Sequence, residues 1–410
     1  MHSIKFVDER DFYRKQLTEN ILPFWLRFSR DSECGGYNTC LERDGSVFDY
    51  DKICTWGQGR IIWTFAFLYN EFEQNSEWLD MALHGCDFMK QFGFDESGRV
   101  YYSLSREGTP LGRTRGIFAD LFLAAGFAEC WKATGQHYFF EAAKNSVFTV
   151  AEIVGNPKTN PHRRFLSDSR QMSLNAEHMI LLNTVQRLRE LDEDERYDQI
   201  ARTCVDKILT LHFSEESRAV LEAVAPDGSS LPGSMGRWIN PGHMIELGWF
   251  LIHEGQYLKN DDLIAKGINA IVWGMDWGWD EELGGIVNDI DIEGKCLLGP
   301  QFLYAPFKMW WAVVEALYSN LLAFSVTGRS VFLDSYQKVR DWSFEHFEDK
   351  EYGEWYGYLD HSGNLVDAGA KGTDIKTCYH IARSFFLCYR ILDELAGRTV
   401  GAEEQLGDQK

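Results

Sequence analysis

The sequence predicts an all-α fold, an (α/α)6 barrel of six helix pairs with short β-hairpins at one end. Three observations predict it. Helical periodicity recurs twelve times along the 410 residues. Short extended pieces, each folded around a glycine turn, separate many of those helices. The turns recur at a step close to one sixth of the chain, about 68 residues.

The elements follow in order. A candidate helix near 11–29 precedes GGYNTCLERDGSVF, with its turn at Gly45. Helices near 56–72 and 77–92 precede FDESGRVYYSLS, which turns at Gly98. Helices near 116–134 and 137–154 precede NPHRRFLSDS, where a sixth hairpin is obscured near 160–168. Helices near 170–191 and 195–212 lead to VLEAVAPDGSSLP and Gly228. Those near 241–258 and 261–276 lead to GGIVNDIDIEGKCLL and Gly294. Those near 306–327 and 330–347 lead to GEWYGYLDHSGNLVD and Gly363, and a last helix runs near 374–396. The glycines step by 53, 130, 66 and 69 residues, and 130 is close to two steps. Open helical solenoids use shorter units, of roughly 34 to 47 residues, so the longer unit with its hairpin favours the closed ring. Inner helices would surround a cavity and the hairpins would rim its mouth. No low-complexity segment or Pro/Gly/Ser linker interrupts the pattern, so residues 1–410 read as one catalytic domain.

Composition narrows the function. A net charge of −21 argues against nucleic acid and anionic membranes as partners. No uncharged apolar run reaches the ~20 residues that span a bilayer, and MHSIKFVDERDFYRK has no apolar signal region. The nine cysteines are scattered, with no CxxC pair, so neither a zinc site nor a disulfide framework is expected. A reducing cytoplasm is the expected location. The 14 Trp and 28 Phe mostly fill a core, but such rings also stack on sugar faces.

Five candidate helices carry polar positions in apolar surroundings. In INPGHMIELGWF, Asn240 caps a helix, Pro241 suits its first position, and His243 and Glu246 lie three residues apart on one face. One reading is a buried histidine satisfied by its neighbour; the other is a catalytic base held by Glu246. The positive end of the helix dipole favours neutral imidazole at His243, the form a general base needs. In CTWGQGRIIWTFAF, Arg60 sits near Trp56 and Trp63, either as a surface residue or as a fork onto hydroxyls or an anionic oxygen. In SLNAEHMILLNTV, His178 follows Glu177 at the head of an apolar run and alone reads as structural. Glu315 lies among Trp310, Trp311 and valines, which requires it to be paired, protonated or facing a wet cavity. In TCYHIARSFFLCYRIL, His380 shares a face with Arg383. Two histidines, an arginine and carboxylates converging on an aromatic cavity make a proton-transfer site that requires no metal. GxGxxG, P-loop, GxSxG and HExxH motifs do not occur.

These segments resemble the N-acylglucosamine 2-epimerase family. The resemblance rests on WGQGRIIW (56–63), GRWINPGHMIELGWFL (236–251), KMWWAVVEAL (308–317), EYGEWYGYLDHSGNLVDAGAKGTDIKTCYHIAR (351–383) and the early GGYNTCLERDGSVFDYDK. It runs in order from about residue 20 to 395. It implies an (α/α)6 barrel, with Arg60 as the substrate-binding and catalytic arginine and His243 and His380 as the acid/base pair. Glu246 and Glu315 would be site carboxylates, and Trp56, Trp310 and Trp311 would line the sugar site. Cellobiose 2-epimerases and mannose isomerases are sister branches that carry a catalytic histidine in an Asn-containing motif. Asn175 and His178 match it with different spacing, and both are taken as substrate-binding. The WW, NPGH and KTCYH wording leans towards the N-acylglucosamine branch.

The resemblance thus implies C2 epimerisation between N-acetylglucosamine and N-acetylmannosamine in the ring-opened form, without a required cofactor. The alternatives on the same residues are an aldose–ketose isomerase such as mannose isomerase, or a C2 epimerase of free mannose or cellobiose. Some family members are activated by nucleotide, and a homodimer is implied. Glycoside hydrolysis on Glu246 and Glu315, or non-enzymatic binding, are competing classes.

Overall fold

A computed structural model describes residues 4–112, 116–156, 171–299, 302–366 and 369–407, without the side chains of 399–407. The expected hairpin near 160–168 lies outside the described residues. The chain opens with a continuous helical run made of α1 (Phe6–Lys15), a π-helical stretch (Gln16–Ile21) and α2 (Leu22–Phe28). Five helix pairs follow: α3 (Trp56–Glu71) with α4 (Ser76–Phe92), α5 (Phe118–Thr134) with α6 (His137–Gly155), α7 (Asn175–Arg189) with α8 (Arg196–Lys207), α9 (Pro241–Leu258) with α10 (Asp261–Gly278), and α11 (Trp310–Thr327) with α12 (Ser330–His346). The last helix, α13 (Tyr379–Gly407), packs on α1.

Two sequence types make two layers. In α11 every residue from Trp310 to Ala323 is buried, as an apolar run without a polar face requires. In α8 only Tyr197, Ala201 and Cys204 are buried, one stripe at helical spacing. The all-round apolar helices α3, α5, α7, α9, α11 and α13 touch in sequence, and α13 returns to α3, so the inner ring closes. The fold is an (α/α)6 barrel. Glycines let helices within a pair approach closely. A Cβ at Gly248 of α9 would lie 2.8 Å from the Gly267 oxygen, and one at Gly267 of α10 would lie 2.5 Å from that of Gly248.

The end strands differ from the expected hairpins. The turn glycines Gly45, Gly98, Gly228, Gly294 and Gly363 all adopt positive φ, from 70° to 86°. Only the first turn closes a two-stranded hairpin, β1 (Cys40–Leu41) on β2 (Val47–Asp49), while Gly98 is closed by the single bridge Phe94–Val100. The others feed long-range pairs. β3 (Ser173–Leu174) leads into α7 and pairs with β6 (Ala223–Val224). β7 (Trp238–Ile239) leads into α9 and pairs with β8 (Ile290–Asp291), and β9 (Lys308–Met309) leads into α11 and pairs with β10 (Tyr358–Leu359). These pairs stitch neighbouring repeats together at the N-terminal ends of the inner helices. A local hairpin forms where none was expected, between β4 (Phe213–Ser214) and β5 (Ala219–Val220).

The lead-in strands also correct helix starts. α11 begins at Trp310 rather than 306, and α7 at Asn175 rather than 170. α13 begins at Tyr379 because the preceding stretch is held as a loop by Lys371 and Lys376, whose ammonium groups pair with Asp349 and Glu354. Apolar periodicity does not distinguish a buried strand or pinned loop from a first helical turn. No helix among the described residues is long and apolar enough to cross a membrane.

Candidate active site

The first two turns of all six inner helices open onto one cavity of about 280 Å³. α3 supplies Trp56 and Arg60, α5 supplies Phe118 and Phe122, and α7 supplies Ala176 and Ile180. α9 supplies His243 and Glu246, α11 supplies Trp310 and Trp311, and α13 supplies Tyr379 and His380. Asn288, Asp289, Tyr304, Met309 and Ile375 complete the wall from the rim.

His243 stands in the first turn of α9 because Asn240 caps that helix, accepting from the His243 backbone N–H at 2.9 Å. Its Nδ1 pairs with Glu222 Oε1 at 3.0 Å, which leaves Nε2 for the cavity. Glu222 sits in the rim strand region before β6 and is buried. Glu246, the expected partner of His243, instead accepts a hydrogen bond from Arg383. The expectation of a neutral His243 is also corrected. Burial pulls its pKa down, but the Glu222 carboxylate, with Glu246 and Asp289 behind it, outweighs burial and raises it to about 9. Charges at contact distance outweigh the partial charge of a helix end.

His380 has the same local pattern and the opposite state. Its Nδ1 pairs with Glu315 Oε1 at 2.9 Å. Glu315 also accepts from Arg383 Nη2 at 2.8 Å, from Trp249 Nε1 at 2.9 Å and from Ser384 Oγ at 3.3 Å. Arg383 and His380 hold the Glu315 carboxyl well below the usual range in spite of its burial. Burial lowers His380 to about 3; Glu315 opposes this, while Arg60 and Arg383 add to it. The two imidazoles flank one indole, with ring centroids 5.2 Å and 5.8 Å from that of Trp311.

Arg60 is buried, and among the described residues no carboxylate pairs with it. Its Nη1 donates to the Ile375 carbonyl at 3.1 Å, and its guanidinium lies 4.1 Å from the Phe122 ring centroid. Its Nε has no hydrogen-bond partner. Burial lowers its pKa, but a guanidinium stays charged in proteins, so it remains a cation able to donate to an anionic oxygen.

Of the residues singled out from sequence, Arg60, His243, His380, Glu246, Trp56, Trp310 and Trp311 meet on this cavity. Three do not. Glu315 lies behind His380, paired with its Nδ1. His178 lines a separate cavity between α6, α7 and α8, where Ser173 Oγ bridges it at 3.0 Å to His212 at 2.9 Å. Asn175 is buried and points its amide at Glu222, 3.4 Å away. The reason is helical: α7 turns Ala176 and Ile180, four residues apart, into the barrel, which directs 175 and 178 elsewhere. Sequence reasoning missed Glu222, Asp289, Asn288, Tyr304 and Tyr379. Tyr379 adjoins His380, but the others carry no local signal beyond an acid or amide in an extended, largely apolar stretch.

Glu246, Glu315 and His380 present ligand atoms within 4.8 Å of one another, the one such cluster among the described residues. Arg383 Nη2 bonds both carboxylates, so a guanidinium already supplies positive charge there. Glu315 does not line the cavity, so Glu246 and Glu315 do not face a glycosidic bond as the carboxyl pair of a hydrolase would.

The sequence profile described as N-acylglucosamine 2-epimerase (GlcNAc 2-epimerase) matches residues 35–384. The N-acylglucosamine 2-epimerase of Mus musculus is 34% identical over 394 residues, covering 94% of this chain and 92% of that protein. The solved cellobiose 2-epimerase of Bacillus thermoamylovorans superposes with a TM-score of 0.80 at 21% identity, covering 95% of this chain and 100% of that one. A solved D-mannose isomerase also gives 0.80, at 20% identity, over 96% of this chain and 100% of the other. The chain belongs to the N-acylglucosamine 2-epimerase family of carbohydrate isomerases.

Proposed function

We propose that this protein interconverts N-acetylglucosamine and N-acetylmannosamine by moving the proton at C2 of the ring-opened sugar. One observation carries the reading: two imidazoles, each held through Nδ1 by a buried carboxylate, flank Trp311 on a single cavity. Near neutral pH His380 is a base and His243 an acid. His380 takes the C2 proton of one epimer, charge builds on the aldehyde oxygen, and His243 delivers a proton to the opposite face. The reverse direction runs with the roles exchanged. Arg60 lines the cavity with its guanidinium, the kind of donor that an enediolate oxygen needs. Glu246 carries a raised pKa from burial and from Glu315, and its cavity-facing carboxyl suits a sugar hydroxyl. The choice of the N-acylated sugar is supported by the family and the mouse relative.

The proposal needs no cofactor, since this chain supplies both proton carriers and the oxyanion donor. It includes a cytoplasmic homodimer. The nine cysteines are free thiols, which suits a reducing compartment, and sedimentation of the purified protein tests the dimer. The activity test is NMR of N-acetylmannosamine in D₂O. The expected product is N-acetylglucosamine carrying deuterium at C2. A ketose labelled at C1, or reaction of mannose or cellobiose alone, overturns the substrate and outcome proposed.

A further inference from the structure

The sugars assigned to this site exist mainly as closed rings, and C2 becomes acidic only after the ring opens to the aldehyde. Both histidines and Arg60 are occupied with C2 and its oxyanion. One carboxylate on the same cavity remains unused. Asp289, on the rim beside β8, lines the wall together with His243. Its Oδ1 accepts from Trp238 Nε1 at 2.7 Å and from Asn240 Nδ2 at 3.0 Å, and its Oδ2 accepts from Asn288 Nδ2 at 2.6 Å. All three donors are neutral, and among the described residues no lysine or arginine forms an ion pair with this carboxylate. Asn240 also caps the helix that carries His243, so one amide ties the carboxylate to the turn that holds the imidazole.

We propose that Asp289 is the ring-opening catalyst, a reading that rests on the epimerase function above. The carboxylate takes the proton of the anomeric O1 hydroxyl. The O1 electrons form the C1=O1 double bond, the C1–O5 bond breaks, and O5 leaves with the proton that Asp289 has just received. No proton is gained or lost overall, so His243 and His380 keep the states they need for C2. The surroundings suit a group that must both take and return a proton. Burial raises its pKa, the Trp238 and Asn240 hydrogen bonds lower it, and the result is about 6.

The test compares a cyclic sugar with an open one. Wild-type protein and Asp289→Asn are assayed on N-acetylmannosamine and on its analogue without the 4-, 5- and 6-hydroxyls, which cannot close a five-, six- or seven-membered ring. We expect kcat/KM on the cyclic sugar to fall about 10²-fold, at least ~10-fold more than on the open analogue. An equal loss on both substrates, or none on the cyclic sugar, overturns the proposal. Trp238→Phe guards against a folding artefact. It removes one donor to Asp289 and should move the acid limb of the cyclic-substrate pH profile upward more than that of the open analogue; equal movement contradicts the proposal. Wild-type protein that exchanges C2 on neither substrate defeats the epimerase reading instead. Polarimetry of the anomers, with and without Asp289→Asn, then still decides on Asp289: faster anomer exchange only with Asp289 present supports it, and equal exchange overturns it.

Discussion

The two sides of the cavity use the same device to opposite effect. On each side an imidazole Nδ1 meets a buried carboxylate, Glu222 at 3.0 Å and Glu315 at 2.9 Å. The difference lies one contact further out. At His380 burial dominates; Glu315 opposes it, while the Arg60 and Arg383 guanidiniums add positive potential at the ring. Glu222 has the neutral amide of Asn175 beside it, with Glu246 and Asp289 adding negative potential at His243. One histidine therefore stays neutral and the other holds its proton. A carboxylate partner does not by itself make a histidine an acid or a base; what balances the carboxylate decides.

The sharpest way to break this comparison is to remove either imidazole. His243→Ala and His380→Ala should each lower epimerisation kcat by about 10²- to 10⁴-fold. Each variant should still wash out the C2 deuterium of one epimer, and the two should spare opposite epimers. Washout from both epimers by a single variant contradicts a two-sided site.

Removing the balance is the next largest test. Arg383→Met leaves Glu246 and Glu315 buried without their cation, and thermal or denaturant unfolding should show a loss of about 3–5 kcal/mol. In protein that remains folded, His380 should titrate higher than in the wild type. An unchanged acid limb of the pH profile counts against Arg383 as the group that neutralises Glu315.

The pH profile sharpens the other side. Activity needs His243 protonated, so in the wild type it is lost as pH rises through about 9. With Glu222→Gln that limb should retreat towards the ordinary imidazole value of about 6.5. The same shift acts on stability. The raised value at His243 stabilises the fold fully below about 6.5, and the contribution is lost as pH rises through about 9. The lowered value at His380 works in reverse: its contribution is present above about 6.5 and is lost as pH falls towards about 3.

The smallest effect is at the cap. Asn240→Ala removes the acceptor for the His243 N–H and should cost about 1 kcal/mol of stability by chemical denaturation.

Much of the architecture was legible in the chain. Buried α11 has no polar face and striped α8 has one, so inner and outer helices announce themselves by periodicity. His243, His380 and Arg60 were legible because polar side chains on apolar helices need a reason to be there. The partners were not. Glu222 reaches His243 across 21 residues and Asp289 reaches Asn240 across 49, both through rim strands of two residues that carry too little pattern to register. Pairing His243 with Glu246 followed helix spacing alone. It failed because Arg383, two inner helices further round the ring, competes for the same carboxylate. His178 misled in the same way, since only the rotation of α7 about its axis shows that Ala176 and Ile180 face the barrel.

The account stands most directly on the charge of two side chains, which ¹⁵N NMR of histidine-labelled protein reads at pH 7, with His243→Ala and His380→Ala used for assignment. His243 should show the two equivalent nitrogen shifts of an imidazolium, and His380 the split shifts of a neutral ring. Two neutral rings, two charged rings, or the reverse assignment would contradict it.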